Sequence, residues 1–331
     1  MANKTGSFVI SLDFELMWGI RDLGIKDTYG QNILGVHTAL PRMLATFEKH
    51  NIRATFATVG FLFFHDKKEL LENLPKVLPA YLDKNLSPYP YLHTDVGEHY
   101  EDDKYHFGLP LLQMIQQTPG QEIGTHTFSH YYCLEDGQTL ESFRDDLKQA
   151  LIVAEKRNIK IKSIIFPRNQ VNGEYLKLCK EAGITSYRNN ELSWLYTARN
   201  GSDESMTRRA LRITDSYINL SGHHCYTDEY MAASFPYNIA SSRFLRPYSH
   251  KLKGLEVLRL KRIKDSMTHA AKNKLTYHLW WHPHNFGINQ DENFAFLDKI
   301  FAHYKRLHTK YAFTSLNMSD ITEKLNIIHG K

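Results

Sequence analysis

The chain has 331 residues, 42% apolar and 23% charged, the balance of an ordinary globular protein long enough for a sizeable core. Its net charge of +5 is modest, and no nucleic-acid-binding motif accompanies it. No apolar run approaches the ~20 residues a membrane span requires, and Cys133, Cys179 and Cys225 lack the paired spacing of a disulfide framework. The N-terminal residues run directly into a strand with no room for a secretory leader, so the expected location is the cytoplasm.

Taken in chain order, the pattern alternates strand and helix. Ser7–Leu12 reads as a strand, Thr38–His50 as a helix, and Ala54–Val59 as a β-branched and aromatic strand. Leu111–Gln117 is helical, Glu122–Thr125 a short strand, and Phe143–Arg157 a helix with Phe143, Leu147, Ala150, Leu151 and Ala154 on one side. The strand Ser163–Phe166, the helix Gly173–Ala182 and the strand Thr185–Tyr187 follow, and then the helix Leu255–Lys272, the strand Leu275–Trp281 and the helix Asn293–Tyr304. Such alternation predicts a parallel α/β sheet covered on its outer face by helices, with chemistry at the trailing strand ends as in parallel barrels. One domain over residues 1–331 is expected, interrupted by long insertions at about 65–110 and 188–250 that would cap the barrel mouth.

Candidate chemistry concentrates at the strand ends. His126 and His130, in Glu122-Ile-Gly-Thr-His-Thr-Phe-Ser-His130, lie about one helical turn apart and can present both imidazoles to one side. Two such nitrogens form half of a zinc-type site, and such metals accept a carboxylate in the same shell. Asp13 and Glu15, two apart in Ser11-Leu-Asp-Phe-Glu15, share a strand face among apolar neighbours. Their repulsion calls for a cation or a division of labour. Arg168, after the strand Ile164-Ile-Phe, is expected to reach Asp13 and keep it ionised. His282 and His284, in Leu279-Trp-Trp-His-Pro-His284, supply imidazoles opposite the acids, suited to protonating an amine leaving group. His282 is expected to face the pocket, and His284 to turn towards the rim after Pro283.

These segments, in this order, resemble the polysaccharide deacetylase family (carbohydrate esterase family 4, the chitooligosaccharide deacetylase homology domain). Its paired-acid motif resembles Ser11-Leu-Asp-Phe-Glu15, its His-Ser/Thr-x-x-His motif matches His126-Thr-Phe-Ser-His130, its Arg-Pro stretch resembles Phe166-Pro-Arg-Asn-Gln170, and its final apolar strand ending in His resembles Leu279-Trp-Trp-His282. The resemblance spans about residues 8 to 287. It implies a distorted (β/α) barrel of parallel strands and hydrolysis of an N-acetyl group from an amino sugar with a divalent metal, usually zinc. Asp13 would be the base, His282 the acid, and Glu15, His126 and His130 the metal ligands. Arg168 would assist catalysis, with His284, Trp281 and Asn169 as substrate contacts. The sequence departs from the family in having Asp-x-Glu for adjacent acids and in swapping Arg and Pro, which leaves the backbone oxyanion donor unassigned. The wider pattern is similar to a subgroup associated with bacterial surface-polysaccharide synthesis.

The implied partner is an N-acetylated sugar or glycoconjugate. The basic run Arg243–Lys264 adds a weak expectation of peripheral contact with an anionic membrane. Two other readings stay open: an amidohydrolase cleaving a non-sugar C–N bond such as a ureide or formamide, and a non-catalytic glycan-binding module.

Overall fold

The computed structural model describes residues 5–197 and 205–329. The strands are β1 (Ser7–Phe14), β2 (Ala54–Thr58), β3 (Gln121–Thr125), β4 (Ser163–Ile165), β5 (Ser186–Arg188), β6 (Tyr237–Asn238), β7 (Arg243–Phe244), β8 (Thr276–Trp281) and β9 (Thr314–Leu316). Their order is β6-β5-β4-β3-β2-β1-β8-β7, and every pairing is parallel. β9 pairs with Ser7–Val9 at the start of β1, below the stretch Ser11–Phe14 that pairs with β2.

The sheet curls until its two ends meet in one stretch of chain. Residues 237–245 run from β6 into β7. The amides of Tyr237, Ile239 and Ser241 donate to carbonyls of Thr185, Tyr187 and Asn189, and those of Ser242 and Leu245 to His278 and Trp280. This segment therefore joins β5 to β8, closing the parallel sheet that the alternating pattern predicts into the distorted (β/α) barrel that the family resemblance implies. It also corrects the extent of the second expected insertion: residues 237–245 belong to the barrel wall. Residues 198–204 of that insertion lie outside the described residues. The first insertion carries the short helices Lys67–Leu71 and Pro88–Thr94.

Strand periodicity divides the core. Phe8, Ile10, Leu12 and Phe14 face outward against the helices Val36–Lys49, Glu256–Asn273 and Gln290–Tyr311 and belong to the main hydrophobic cluster. Val9, Ala57, Ile165 and Ile239 form a second cluster with Met318, Ile321 and Leu325, so the helix Met318–His329 floors the barrel with apolar side chains. Above that floor the β1 positions become polar, Ser11 and then Asp13. Apolar filling at the bottom leaves the other end of the barrel for chemistry. No helix among the described residues is long and apolar enough to cross a membrane.

Within the basic run Arg243–Lys264, Arg243, Arg259 and Arg262 are buried. Arg243 pairs with Asp215 at 3.1 Å and Arg259 lies over the Phe296 ring. A good part of the run's charge thus faces inward.

Candidate metal centre

The loop after β3 brings the two histidines together. Thr127 and His130 both adopt positive φ, 66° and 57°, a strained choice for residues with side chains. Asp146, wholly buried on the helix Leu140–Lys156, holds this turn: it accepts from the Phe128 amide at 2.7 Å, the Ser129 amide at 3.1 Å and the Ser129 hydroxyl. Burial pushes its carboxyl up to about 7 against the pull of those donors. Asp146→Asn keeps the size but replaces one acceptor by an NH₂ facing a backbone N–H, at an expected cost of about 1–3 kcal/mol. Because the folded value lies above the unfolded ~3.9, the carboxyl's stabilisation is complete in acid and is lost as pH rises through about 7. The parent's stability advantage over Asp146→Asn should therefore shrink between those pH values, as denaturation at several pH values would measure.

Glu15 stands opposite that loop, just beyond β1, its side chain 4% exposed. Its Oε2 lies 3.3 Å from His126 Nε2 and 3.2 Å from His130 Nε2, while its Oε1 lies 3.6 Å from His282 Nε2. His126 donates its Nδ1–H to the Ile165 carbonyl at 2.8 Å, which leaves the lone pair of Nε2 aimed at the carboxylate. A lone pair facing a carboxylate oxygen is repulsive unless a proton or a metal ion lies between them. Glu15, His126 and His130 offer three ligand atoms mutually within 4.8 Å, a set of donors that fits a divalent metal of the zinc type. Burial raises the Glu15 carboxyl, but the surrounding imidazoles of His282, His126 and His130 outweigh it and hold the group well below its ordinary range. Gly19 makes room for this side chain: a Cβ there would lie 2.0 Å from Glu15 Cδ.

Asp13 is paired, but not with the arginine expected. Arg188, at the end of β5 and fully buried, donates Nη1 to Oδ1 at 2.7 Å and Nη2 to Oδ2 at 2.8 Å. Its Nη1 also donates to Ser11 Oγ at 2.9 Å, its Nη2 to Asn169 Oδ1 at 2.8 Å, and its guanidinium lies 4.2 Å over the Trp280 ring. Beneath it, His278 Nδ1 donates to the Ile239 carbonyl at 2.9 Å and Nε2 accepts from Ser11 Oγ at 2.8 Å. Burial lowers the His278 pKa to about 3, so this ring is neutral and the chain of hydrogen bonds runs in one sense. Burial raises the Asp13 carboxyl, but Arg188 with His126 and His282 holds it below the usual carboxylate range.

Several expected site residues sit elsewhere. Arg168 follows β4 in a left-handed turn, φ 52°, that carries its side chain away from Asp13 to pair with Asp22, 3.8 Å from Glu135 and over the Tyr132 ring. Trp281 is on the outward face of β8, fully buried against Phe47 and Phe286, because strand alternation turns it away from the barrel interior. Trp280 is the tryptophan beside the site, with His282 and Phe244 at its edges. His284 is buried rather than at the rim: its ring stacks on His282 with 4.8 Å between centroids, edge-on to Tyr29. Asn169 holds Arg188 and also lines a cavity of ≈ 500 Å³ with Asn189, Asn190, Glu191, Ser193 and Trp194. His282 faces the centre as expected, 3.8 Å from Asp13 Oδ2, its side chain 23% exposed.

Fold and donor set define a (β/α) barrel with a histidine–carboxylate centre at the trailing ends of its strands. That fold is shared with a structure described as a polysaccharide deacetylase from Mycobacterium smegmatis, at 13% identity and TM-score 0.61, covering 99% of this chain and 93% of that one. A structure described as a polysaccharide deacetylase from Pseudomonas aeruginosa PAO1 aligns at 12% identity and TM-score 0.54, covering 98% and 91%. An allantoinase aligns at 10% identity and TM-score 0.52, covering 100% and 94%. No family model matches the sequence, and no curated protein does.

Proposed function

We propose that the protein is a divalent-metal hydrolase that removes an N-acetyl group from an amino sugar, in bacterial surface-polysaccharide metabolism. The observation that carries this reading is the Glu15 carboxylate, with one oxygen against His126 and His130 and the other towards His282. Glu15, His126 and His130 would hold the metal, zinc by donor type. When bound, it would polarise the acetyl carbonyl and acidify a water. Asp13 is the base that takes the proton from that water as its oxygen attacks the carbonyl carbon. The lowered pKa of Asp13 keeps it ionised and able to accept that proton. Arg188 keeps both Asp13 oxygens oriented, and Trp280 covers Arg188 from one side. As the C–N bond breaks, His282 gives a proton to the departing amine; acetate and the free amino sugar leave. The polysaccharide deacetylases among the structural neighbours support this substrate class.

An amidohydrolase acting on a non-sugar C–N bond is the second reading, favoured by the alignment of 94% of an allantoinase chain on this barrel. Metal analysis coupled to product assays separates the two. The expected result is one tightly held metal and acetate released from UDP-linked or lipid-linked N-acetyl sugars. His282→Ala should cut that release by ~10²-fold or more. Turnover of allantoin without acetate release from any N-acetyl sugar would favour the second reading.

A further inference from the structure

We infer a second divalent-cation site, formed by Glu15, His282 and His284, that shares Glu15 with the first and inhibits the enzyme when it fills. The inhibitory part rests on the hydrolase reading above; the site itself rests on geometry. The two oxygens of Glu15 face opposite ways, Oε2 to His126 and His130 at 3.3 and 3.2 Å and Oε1 to His282 Nε2 at 3.6 Å. Glu15, His282 and His284 offer ligand atoms mutually within 4.8 Å, the same reach as in the first triad. One carboxylate between two pairs of imidazoles is the arrangement by which dinuclear sites hold two ions side by side.

His284 supplies the independent sign of a ligand. It is 5% exposed, and its Nδ1 is buried with no hydrogen-bond partner. A buried polar nitrogen without a partner costs free energy that a bound cation would recover. Nothing in the hydrolytic scheme uses His284.

The same geometry explains why this site is the weaker one. The His282 and His284 rings lie 5° from parallel with centroids 4.8 Å apart, so their in-plane lone pairs run side by side rather than converging. One ring must turn about its Cβ–Cγ bond, a soft torsion for histidine, and Tyr29 stands edge-on to His284 at 5.4 Å. Repulsion from the first ion adds to that cost. Filling the second site would engage the nitrogen by which His282 protonates the leaving amine, and would divide Glu15 between two ions. Metal in excess of one equivalent is therefore inhibitory.

The test is calorimetric titration of the metal-stripped full chain with Zn²⁺, read as stoichiometry. The parent should bind two ions, the second about tenfold or more weakly, while His284→Gln and His282→Gln should each bind only the tight one. Circular dichroism and thermal unfolding establish that both variants are folded; His282, partly exposed, is the safer replacement. With two equivalents of Mn²⁺, the parent should give an exchange-coupled electron paramagnetic resonance spectrum that both variants lack. The ratio of activity at excess Zn²⁺ to that at one equivalent should fall several-fold in the parent and stay flat in His284→Gln. A single event in the parent overturns the second site and leaves the hydrolase reading standing. No binding at all overturns both. A weak event that persists in both variants assigns that ion to other histidines and also overturns the site. Two events without inhibition overturn the regulatory role.

Discussion

Arg188→Leu is expected to lower the unfolding free energy by about 3–5 kcal/mol and to reduce turnover by ~10²-fold or more. The guanidinium is fully buried and meets both oxygens of Asp13, Ser11 Oγ, Asn169 Oδ1 and the face of Trp280. Removing it leaves a carboxylate 4% exposed with its main counter-charge gone, and desolvation then favours protonation of the group that must act as base. Arg188→Lys retains a charge without the two-pronged geometry and should fall between parent and leucine variant. Arg168→Ala is the contrasting control. Its side chain is 31% exposed but that of its partner Asp22 only 4%, so its loss should cost about 1–3 kcal/mol, while turnover, with Asp13 and Arg188 untouched, should stay near the parent's. Denaturant unfolding at neutral pH with product assays on the three variants would measure this. Parent-like stability and turnover in Arg188→Leu, with loss of turnover in Arg168→Ala, would return the role to Arg168.

That contrast shows where the chain could be read from its sequence. The strand-end rule that drew attention to Arg168 applies equally to Arg188, one residue past the predicted strand Thr185–Tyr187. What hid Arg188 was a strand only three residues long, with no alternation to declare which side faces the barrel. The tryptophans went astray by one position: His278 and Trp280 share the inner face of β8 with His282 just beyond its end, and that period alone excludes Trp281. His284 escaped because a proline turn ordinarily leads outward, whereas here the following 3₁₀ turn packs closely on the helix Lys26–Leu34. A Cβ on Gly287 would lie 1.9 Å from the Asn32 carbonyl oxygen, and one on Gly35 2.0 Å from that of Gly287. The strands β6, β7 and β9 are two or three residues each, too short for a periodic signal, and their pairing is set by partners far along the chain. His126, His130, Asp13 and Glu15 could be brought together from sequence because each sits within a residue or a short turn of a strong strand. Asp146, which fixes the histidine turn, could not, since a buried acid on a helix looks like any other polar position until the turn folds against it.

Asp13 and Glu15 are expected to separate cleanly on substitution, although only one residue lies between them. Asp13→Asn should keep the tightly bound metal and cut turnover by ~10²-fold or more. The amide keeps one acceptor for Arg188, while the group that takes the proton is gone and the buried guanidinium is left without its counter-charge. Glu15→Gln should lose the tight metal and with it all turnover, because the anionic oxygen that faces both histidines at 3.2–3.3 Å is replaced by a neutral amide. Gly19→Ala provides an independent route to the second outcome. Its new Cβ would fall 2.0 Å from Glu15 Cδ, so the carboxylate must swing away although no ligand has been changed. Metal content and acetate release, measured together on the three variants, distinguish the roles. Retained metal in Glu15→Gln with loss in Asp13→Asn would exchange the base and the ligand. Full metal and turnover in Gly19→Ala would mean that the position of Glu15 seen here is not the one that holds the ion.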